Sequence, residues 1–159
     1  FGSGLHESTQ MCLRVLDTRL RPGDAVVDVG AGSGILSIAA AKLGAGRVLA
    51  IDADPVACAV ARANVAHNGV AARVRVREGD LLTGVRTVAD LVLANLTADL
   101  HRTFLPTVRP HLAARGVVAA SGITARRARE VERAGRDAGL AVVERLRSGE
   151  WRCLVLSGA

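Results

Sequence analysis

Apolar residues fall along this chain in two alternating rhythms. Residues 25–29, 47–51, 89–94 and 116–121 are short, nearly continuous apolar runs bounded by turn or charged residues. That composition suits strands buried on both faces of a sheet. Residues 73–77, RVRVR, alternate strictly and predict a half-exposed strand. Between these runs the period lengthens to that of a helix. Met11, Val15, Leu16 and Leu20 form an apolar stripe over residues 8–20, with Ser8 and Thr9 as candidate N-terminal caps. Arg21-Pro22-Gly23-Asp24 stops that helix, Gly44 stops the next, and Asp54-Pro55 opens a third, which ends at Asn68-Gly69. A helix from Thr97 should break or kink near Pro106 and Pro110. Residues 124–138 predict a charged helix with Glu132–Arg136 and Arg133–Asp137 pairs one turn apart. Residues 141–146 and 151–156, joined through Gly149, read as a hairpin. Strands alternating with helices imply an α/β fold. The expectation is a Rossmann-like, doubly wound, seven-stranded, mostly parallel sheet closed by an antiparallel hairpin strand.

Composition narrows the class without changing this outline. A chain of 159 residues makes one domain with a sizeable core. It contains no apolar run of bilayer length and no signal-peptide pattern, so a cytoplasmic setting is expected. It begins at Phe1 and not Met, as a piece of a longer protein would. Cys12, Cys58 and Cys153 are isolated, so they predict core residues and neither a zinc site nor a disulfide framework. The net charge of +6 admits an anionic partner. Arginine is spread along the whole chain among Asp and Glu, however, and only three aromatic residues are present to stack bases. A solvated basic surface is therefore the favoured reading, and direct nucleic-acid binding is not required.

The chemistry centres on residues 26–38, VVDVGAGSGILSI: a buried strand, an acidic residue and three glycines at alternate positions, then an apolar helix. Glycine lets a backbone turn tightly and approach a ligand closely. A dinucleotide loop places its glycines as G-x-G-x-x-G. Here Gly30, Gly32 and Gly34 follow Asp28, and residue 35 is isoleucine. The pattern D-x-G-x-G-x-G resembles motif I of the class I S-adenosylmethionine-dependent methyltransferases. Ligands in such sheets bind at the carboxyl ends of the strands. Asp52 ends the second strand, where a carboxylate can accept hydrogen bonds from both ribose hydroxyls; Asp54 is better placed to cap the helix. Asp80 can accept from the adenine amino group or serve equally well as a turn residue. Asn95 ends the fourth strand, where its carboxamide can orient an amine or hold the cofactor's amino acid end.

Taken together, FGSGLHEST, VVDVGAGSGILSIAAAKLGA, AIDADPVA, DLVLANLTADLH, SGI and GEW cover nearly the whole chain. In combination they resemble the ribosomal protein L11 methyltransferase (PrmA) family. The family's opening loop, F-G-T-G-x-H-x-T-T, matches Phe1, Gly2, Gly4, His6 and Thr9, with Ser3 and Ser8 as departures. The resemblance implies cofactor contacts at Thr9, Gly30, Asp52 and Asn95. It also implies methylation of amino groups, lysine side chains or the N-terminal α-amine, on ribosomal protein L11. Asn95-Leu96 departs from the N-P-P-[YF] pattern of enzymes that methylate adenine or glutamine amides, which favours an sp³ amine. Residues 1–22 are expected to form a lid loop and helix. Members carry a separate N-terminal substrate-gripping domain, and this chain starts just after it. No strong base is needed, since an amine buried beside a sulfonium loses its proton readily. His6 is assigned a positioning role, and no metal is expected. Alternatives are a related enzyme acting on another protein, an RNA or small-molecule methyltransferase, and a cofactor-binding module without activity of its own.

Overall fold

Strand β1 (Ala25–Val29) is buried at every residue, including the acidic one. It lies at the centre of a sheet that flanks it with parallel strands, β2 (Arg47–Asp52) on one side and β4 (Ala89–Asn95) on the other. The computed structural model describes residues 4–158. Its sheet has seven strands in the order β3-β2-β1-β4-β5-β7-β6, where β3 is Val74–Glu78, β5 Leu112–Thr124, β6 Leu140–Ser148 and β7 Trp151–Gly158. All pairings are parallel except those of β7, which runs antiparallel to both β5 and β6. The expected doubly wound, mostly parallel sheet with an antiparallel hairpin strand is thus the observed fold.

Burial explains why the hairpin does not simply extend the sheet. Residues 153–156 of β7 are buried one after another, whereas β6 alternates buried and exposed positions. The continuous apolar strand occupies the inner place and the half-polar one forms the edge.

Two apolar layers cover the sheet. Helices α1 (Glu7–Arg19), α2 (Ile35–Lys42) and α3 (Pro55–His67) pack on one face, contributing Leu16, Leu36 and Val65. On the other, α4 (Ala98–Val108) and α5 (Ala128–Asp137) contribute Phe104, Leu105 and Val131. No helix joins β3 to β4; residues 79–88 form a loop that inserts Leu82 and Val85 into the second layer.

Several local expectations are revised. Helix α4 runs through Pro106 and ends at Val108, with Pro110 in a 3₁₀ turn. An interior proline costs about 3 kcal/mol. Phe104, Leu105 and Val108 are each 0 % exposed, and burying each contributes about 1.5–3 kcal/mol, which outweighs that cost. The cap of α1 is His6, whose Nδ1 accepts from the Ser8 amide at 3.2 Å, while Ser8 and Thr9 are buried within the helix. Helix α5 starts only at Ala128, after a 3₁₀ turn. Its Glu132 reaches Arg136 at 3.8 Å but bonds Arg145 of β6 at 2.6 Å, and no Arg133–Asp137 ion pair forms among the described residues. A charge on the neighbouring strand competes successfully with one on the same helix.

Candidate functional site

The loop from Gly30 to Gly34 leaves β1 with all three glycines at positive φ, 72°, 54° and 83°. Its amides turn inward. Gly30 and Ala31 both donate to the Ile51 carbonyl, at 2.8 and 2.9 Å; Gly32 donates to Asp52 Oδ2 at 2.8 Å, and Gly34 to the Ala31 carbonyl at 2.9 Å. A pyrophosphate needs free amides at this turn, and these four are committed within the protein. Asp28 and Asp52 also place two carboxylates beside the loop, which would repel a phosphate. The committed amides and the two carboxylates disfavour a phosphate at this turn and suit an uncharged or cationic ligand.

Each of the sequence-predicted residues has a definite place. Gly30 is pressed against β4's outgoing loop: a Cβ on it would lie 2.5 Å from Leu96 Cδ2. Gly32 faces open space, with nothing within 4 Å of such an atom. Gly34 is the left-handed N-cap residue of α2 and lets Ala61 of α3 approach. Asp52 bridges two backbones, accepting from Gly32 through Oδ2 and from the Asp54 amide through Oδ1 at 2.9 Å. Asp54 caps α3, accepting from the Val56 amide at 2.8 Å, which leaves Asp52 free of that duty. A carboxylate has about four lone-pair sites, so Asp52 keeps acceptor capacity for two hydroxyls. Asp80 is exposed in the turn after β3, and its carbonyl accepts from Thr83.

Asp28 has a different place from a ligand contact. It is 1 % exposed and accepts from Ser37 Oγ at 2.7 Å, beneath the first turn of α2, and it does not line the cavity described below. Burial pushes its carboxyl up to about 6, against the pull of the Ser37 hydrogen bonds. Gly34 offers α2 no side-chain cap, and Asp28 supplies the acceptor from the strand below. Its effect on a ligand therefore passes through the loop.

The opening segment meets the loop from the other side. Phe1, Gly2 and Ser3 lie outside the described residues. A Cβ on Gly4 would lie 2.5 Å from Ile35 Cδ1, and Gln10 Nε2 donates to the Gly4 carbonyl. His6 is fixed by Ser8 Oγ at 2.7 Å and by an edge-on contact with Trp151, ring centroids 4.7 Å apart. Thr9, 1 % exposed, accepts through Oγ1 from Asn95 Nδ2 at 3.2 Å, across a sequence separation of 86. That bond orients the carboxamide and leaves Asn95 Oδ1 buried without a partner among the described residues. Thr9, Gly30, Gly32, Ile35, Leu36 and Asn95 line a cavity of about 220 Å³.

Sequence reasoning did not assign the residues that hold Asn95 in place. Ser121, at the carboxyl end of β5, donates through Oγ to the Ser8 carbonyl at 2.8 Å; its own carbonyl meets His101 Nε2 at 2.7 Å and the Leu96 amide at 3.1 Å. Gly122, at φ 81°, leaves no room for a Cβ, which would stand 2.9 Å from Asn95 Oδ1. The SGI stretch was visible as a motif, but its partners come from α1 and α4. His101 is fully buried, and burial lowers its pKa to about 4, so it is neutral near pH 7. Among the described residues no cluster of three or more His, Cys, Asp or Glu could hold a metal ion, and no helix is long and apolar enough to cross a membrane.

Fold and site together define a class I methyltransferase domain. The profile of ribosomal protein L11 methyltransferase (PrmA) matches residues 1–158, and the chain belongs to that family. It is 52 % identical over 154 residues to ribosomal protein L11 methyltransferase of Pelotomaculum thermopropionicum, covering 97 % of this chain and 50 % of that protein. The corresponding protein of Heliobacterium modesticaldum is 45 % identical over 155 residues, covering 98 % of this chain and 49 % of its own. The chain thus spans about half the length of the curated relatives it matches. The crystal structure of a ribosomal protein L11 methylase from Lactobacillus delbrueckii subsp. bulgaricus superposes with a TM-score of 0.92 at 34 % identity, covering 98 % of this chain and 80 % of that one. Precorrin-6y C5,15-methyltransferase from Geobacter metallireducens, at 20 % identity and a TM-score of 0.79 over 97 % of this chain and 90 % of its own, shares the fold.

Proposed function

We propose that this chain is the S-adenosylmethionine-binding catalytic domain of a protein N-methyltransferase whose acceptor is an amino group of ribosomal protein L11. The observation that carries the reading is the Thr9–Asn95 pair, with Asn95 lining the glycine-loop cavity and its buried Oδ1 unpartnered among the described residues. An orphaned buried carbonyl oxygen is costly unless a donor completes it. An amine supplies such a donor, whether it belongs to the acceptor or to the amino acid end of the cofactor. The inward-turned amides and the two carboxylates beside the loop also suit a cationic ligand without phosphate.

S-adenosylmethionine, when bound, supplies an electrophilic methyl group on a sulfonium. The chain's own residues then position and desolvate. Gly30 lets Leu96 pack against the loop, Gly32 leaves the open side of the loop free of a side chain, and Asp52 has acceptor sites for the ribose hydroxyls. Asp80, exposed in the turn after β3, is the candidate acceptor for the adenine amino group. Asn95 Oδ1 can take one N–H of the acceptor, leaving the nitrogen lone pair for the methyl carbon. The apolar walls at Ile35 and Leu36 favour the neutral amine over its ammonium form. The proton leaves to water. His6, bound to Ser8 and Trp151, anchors the lid helix and moves no proton.

Isothermal titration with S-adenosylmethionine tests the cofactor half. Removing a carboxylate that accepts two hydrogen bonds costs about 1.5–3 kcal/mol or more, so Asp52→Ala should weaken binding at least about 10-fold; unchanged affinity would overturn the ribose assignment. Transfer of labelled methyl to ribosomal protein L11, lost in Asn95→Leu, tests the acceptor half. Tight cofactor binding with no transfer to L11 would redirect the search to another acceptor.

A further inference from the structure

At the amino ends of β2 and β3, beside the helix-free loop that joins β3 to β4, the sheet leaves a groove open. The opening, about 530 Å³, is lined by Arg47, Arg73, Arg75 and Arg77, together with Leu49 and Thr87. No carboxylate lines it, and none of the four arginines belongs to an ion pair among the described residues. Two of the guanidinium groups are anchored on carbonyls, Arg77 on Gly84 at 3.1 Å and Arg73 on Ala41 at 3.4 Å. Those bonds orient the groups without neutralising them.

Like charges side by side on neighbouring strands oppose folding. Charges on an edge strand are commonly explained as protection against pairing with another sheet. That explains Arg75 and Arg77. It does not explain Arg47, which comes from the inner strand β2 and shares the groove with Arg73, whose carbonyl accepts from the Val48 amide. Four uncompensated guanidiniums around one cleft are the arrangement that binds a polyanion. Alternate residues along β3 are spaced about 6.6 Å apart, a spacing near that of successive phosphates on one strand, and guanidinium meets phosphate in a bidentate fork. The floor carries aliphatic side chains and no aromatic ring, so bases would have no stacking platform.

We propose that this groove binds the phosphate backbone of single-stranded RNA, without sequence preference, through Arg47, Arg73, Arg75 and Arg77. The sequence pointed the other way because it shows arginines dispersed along the chain; folding brings four of them together. The site is separate from the glycine-loop cavity and requires neither cofactor nor acceptor, so its failure would leave the methyltransferase reading intact.

Fluorescence anisotropy with a labelled oligouridine of about 12 nucleotides tests the proposal. Four phosphate contacts on a single strand predict a slope of about −2.8 in log K against log salt, or about 50-fold weaker binding between 50 and 200 mM salt. The double variant Arg47→Ala/Arg75→Ala should reduce the slope to about −1.4 and the loss to about 7-fold. Its S-adenosylmethionine affinity and urea midpoint serve as controls for folding. Absence of salt-dependent binding, or a double variant with the parental slope, would overturn the site. Polyglutamate displacing the RNA at equal charge concentration would overturn the choice of RNA and point to an acidic protein segment.

Discussion

Replacing Asp28 by asparagine tests how the glycine loop is held. The carboxyl is fully buried and burial raises its pKa from 3.8 to about 6. The folded state therefore favours the protonated form. Its stabilising contribution is fully present below pH 3.8 and is lost as pH rises through 6. The difference between the two values corresponds to about 3 kcal/mol across that window. Asparagine is isosteric, can donate to Ser37 Oγ and does not titrate, so Asp28→Asn should be pH-independent at this site. Urea unfolding of both proteins from pH 4 to 7.5 gives the difference in stability at each pH. Any constant effect of the amide cancels from the shape of that curve, as does the titration of His101, which both proteins share. The variant should gain about 2.5 kcal/mol relative to the parent between pH 4 and 7.5, with somewhat more than half of the gain falling between pH 5 and 7.5. A difference that is flat with pH would show that Asp28 is solvated, and the account of a dry loop support would fail.

His101 provides the converse case. Its folded pKa of about 4 lies below the ordinary 6.5, so its contribution is present above pH 6.5 and is lost as pH falls toward 4. The parent should lose about 2 kcal/mol at this site by pH 5, and His101→Gln, which keeps a donor for the Ser121 carbonyl, should abolish that loss in the same urea series. The loop glycines separate strain from collision. Gly32→Ala meets only the left-handed backbone penalty of about 1–2 kcal/mol, whereas Gly30→Ala adds a contact of 2.5 Å with Leu96. Thermal unfolding should therefore show a clearly larger loss for Gly30→Ala; equal losses would mean that Leu96 moves aside freely.

Much of this architecture was legible because short-range signals agreed. Asp54-Pro55, Asn68-Gly69 and the apolar runs set most boundaries within one or two residues. Signals failed where a distant contact outweighed a local one. Pro106 and Pro110 predict a break or kink, yet the burial of Phe104, Leu105 and Val108 carries the helix past Pro106. Ser8 and Thr9 were reasonable caps by residue type, but their side chains face the interior and His6 takes the role. Glu132 had an intrahelical partner one turn away and chose a shorter bond across to β6.

By itself the sequence determined the fold class, the glycine loop, and the acidic and amide residues at the strand ends. These follow from local periodicity, turn chemistry and spacing, which operate within a few residues. Tertiary structure alone decided which of those residues meet. It turned the loop amides inward, put Asp28 beneath α2, and joined Thr9 to Asn95 across 86 residues, with Ser121 and His101 holding both ends. It also inserted β7 between β5 and β6 and gathered four dispersed arginines into one groove. The physical reason is common to all of these. Burial and hydrogen-bond satisfaction are properties of the packed chain, and no window of neighbouring residues contains them.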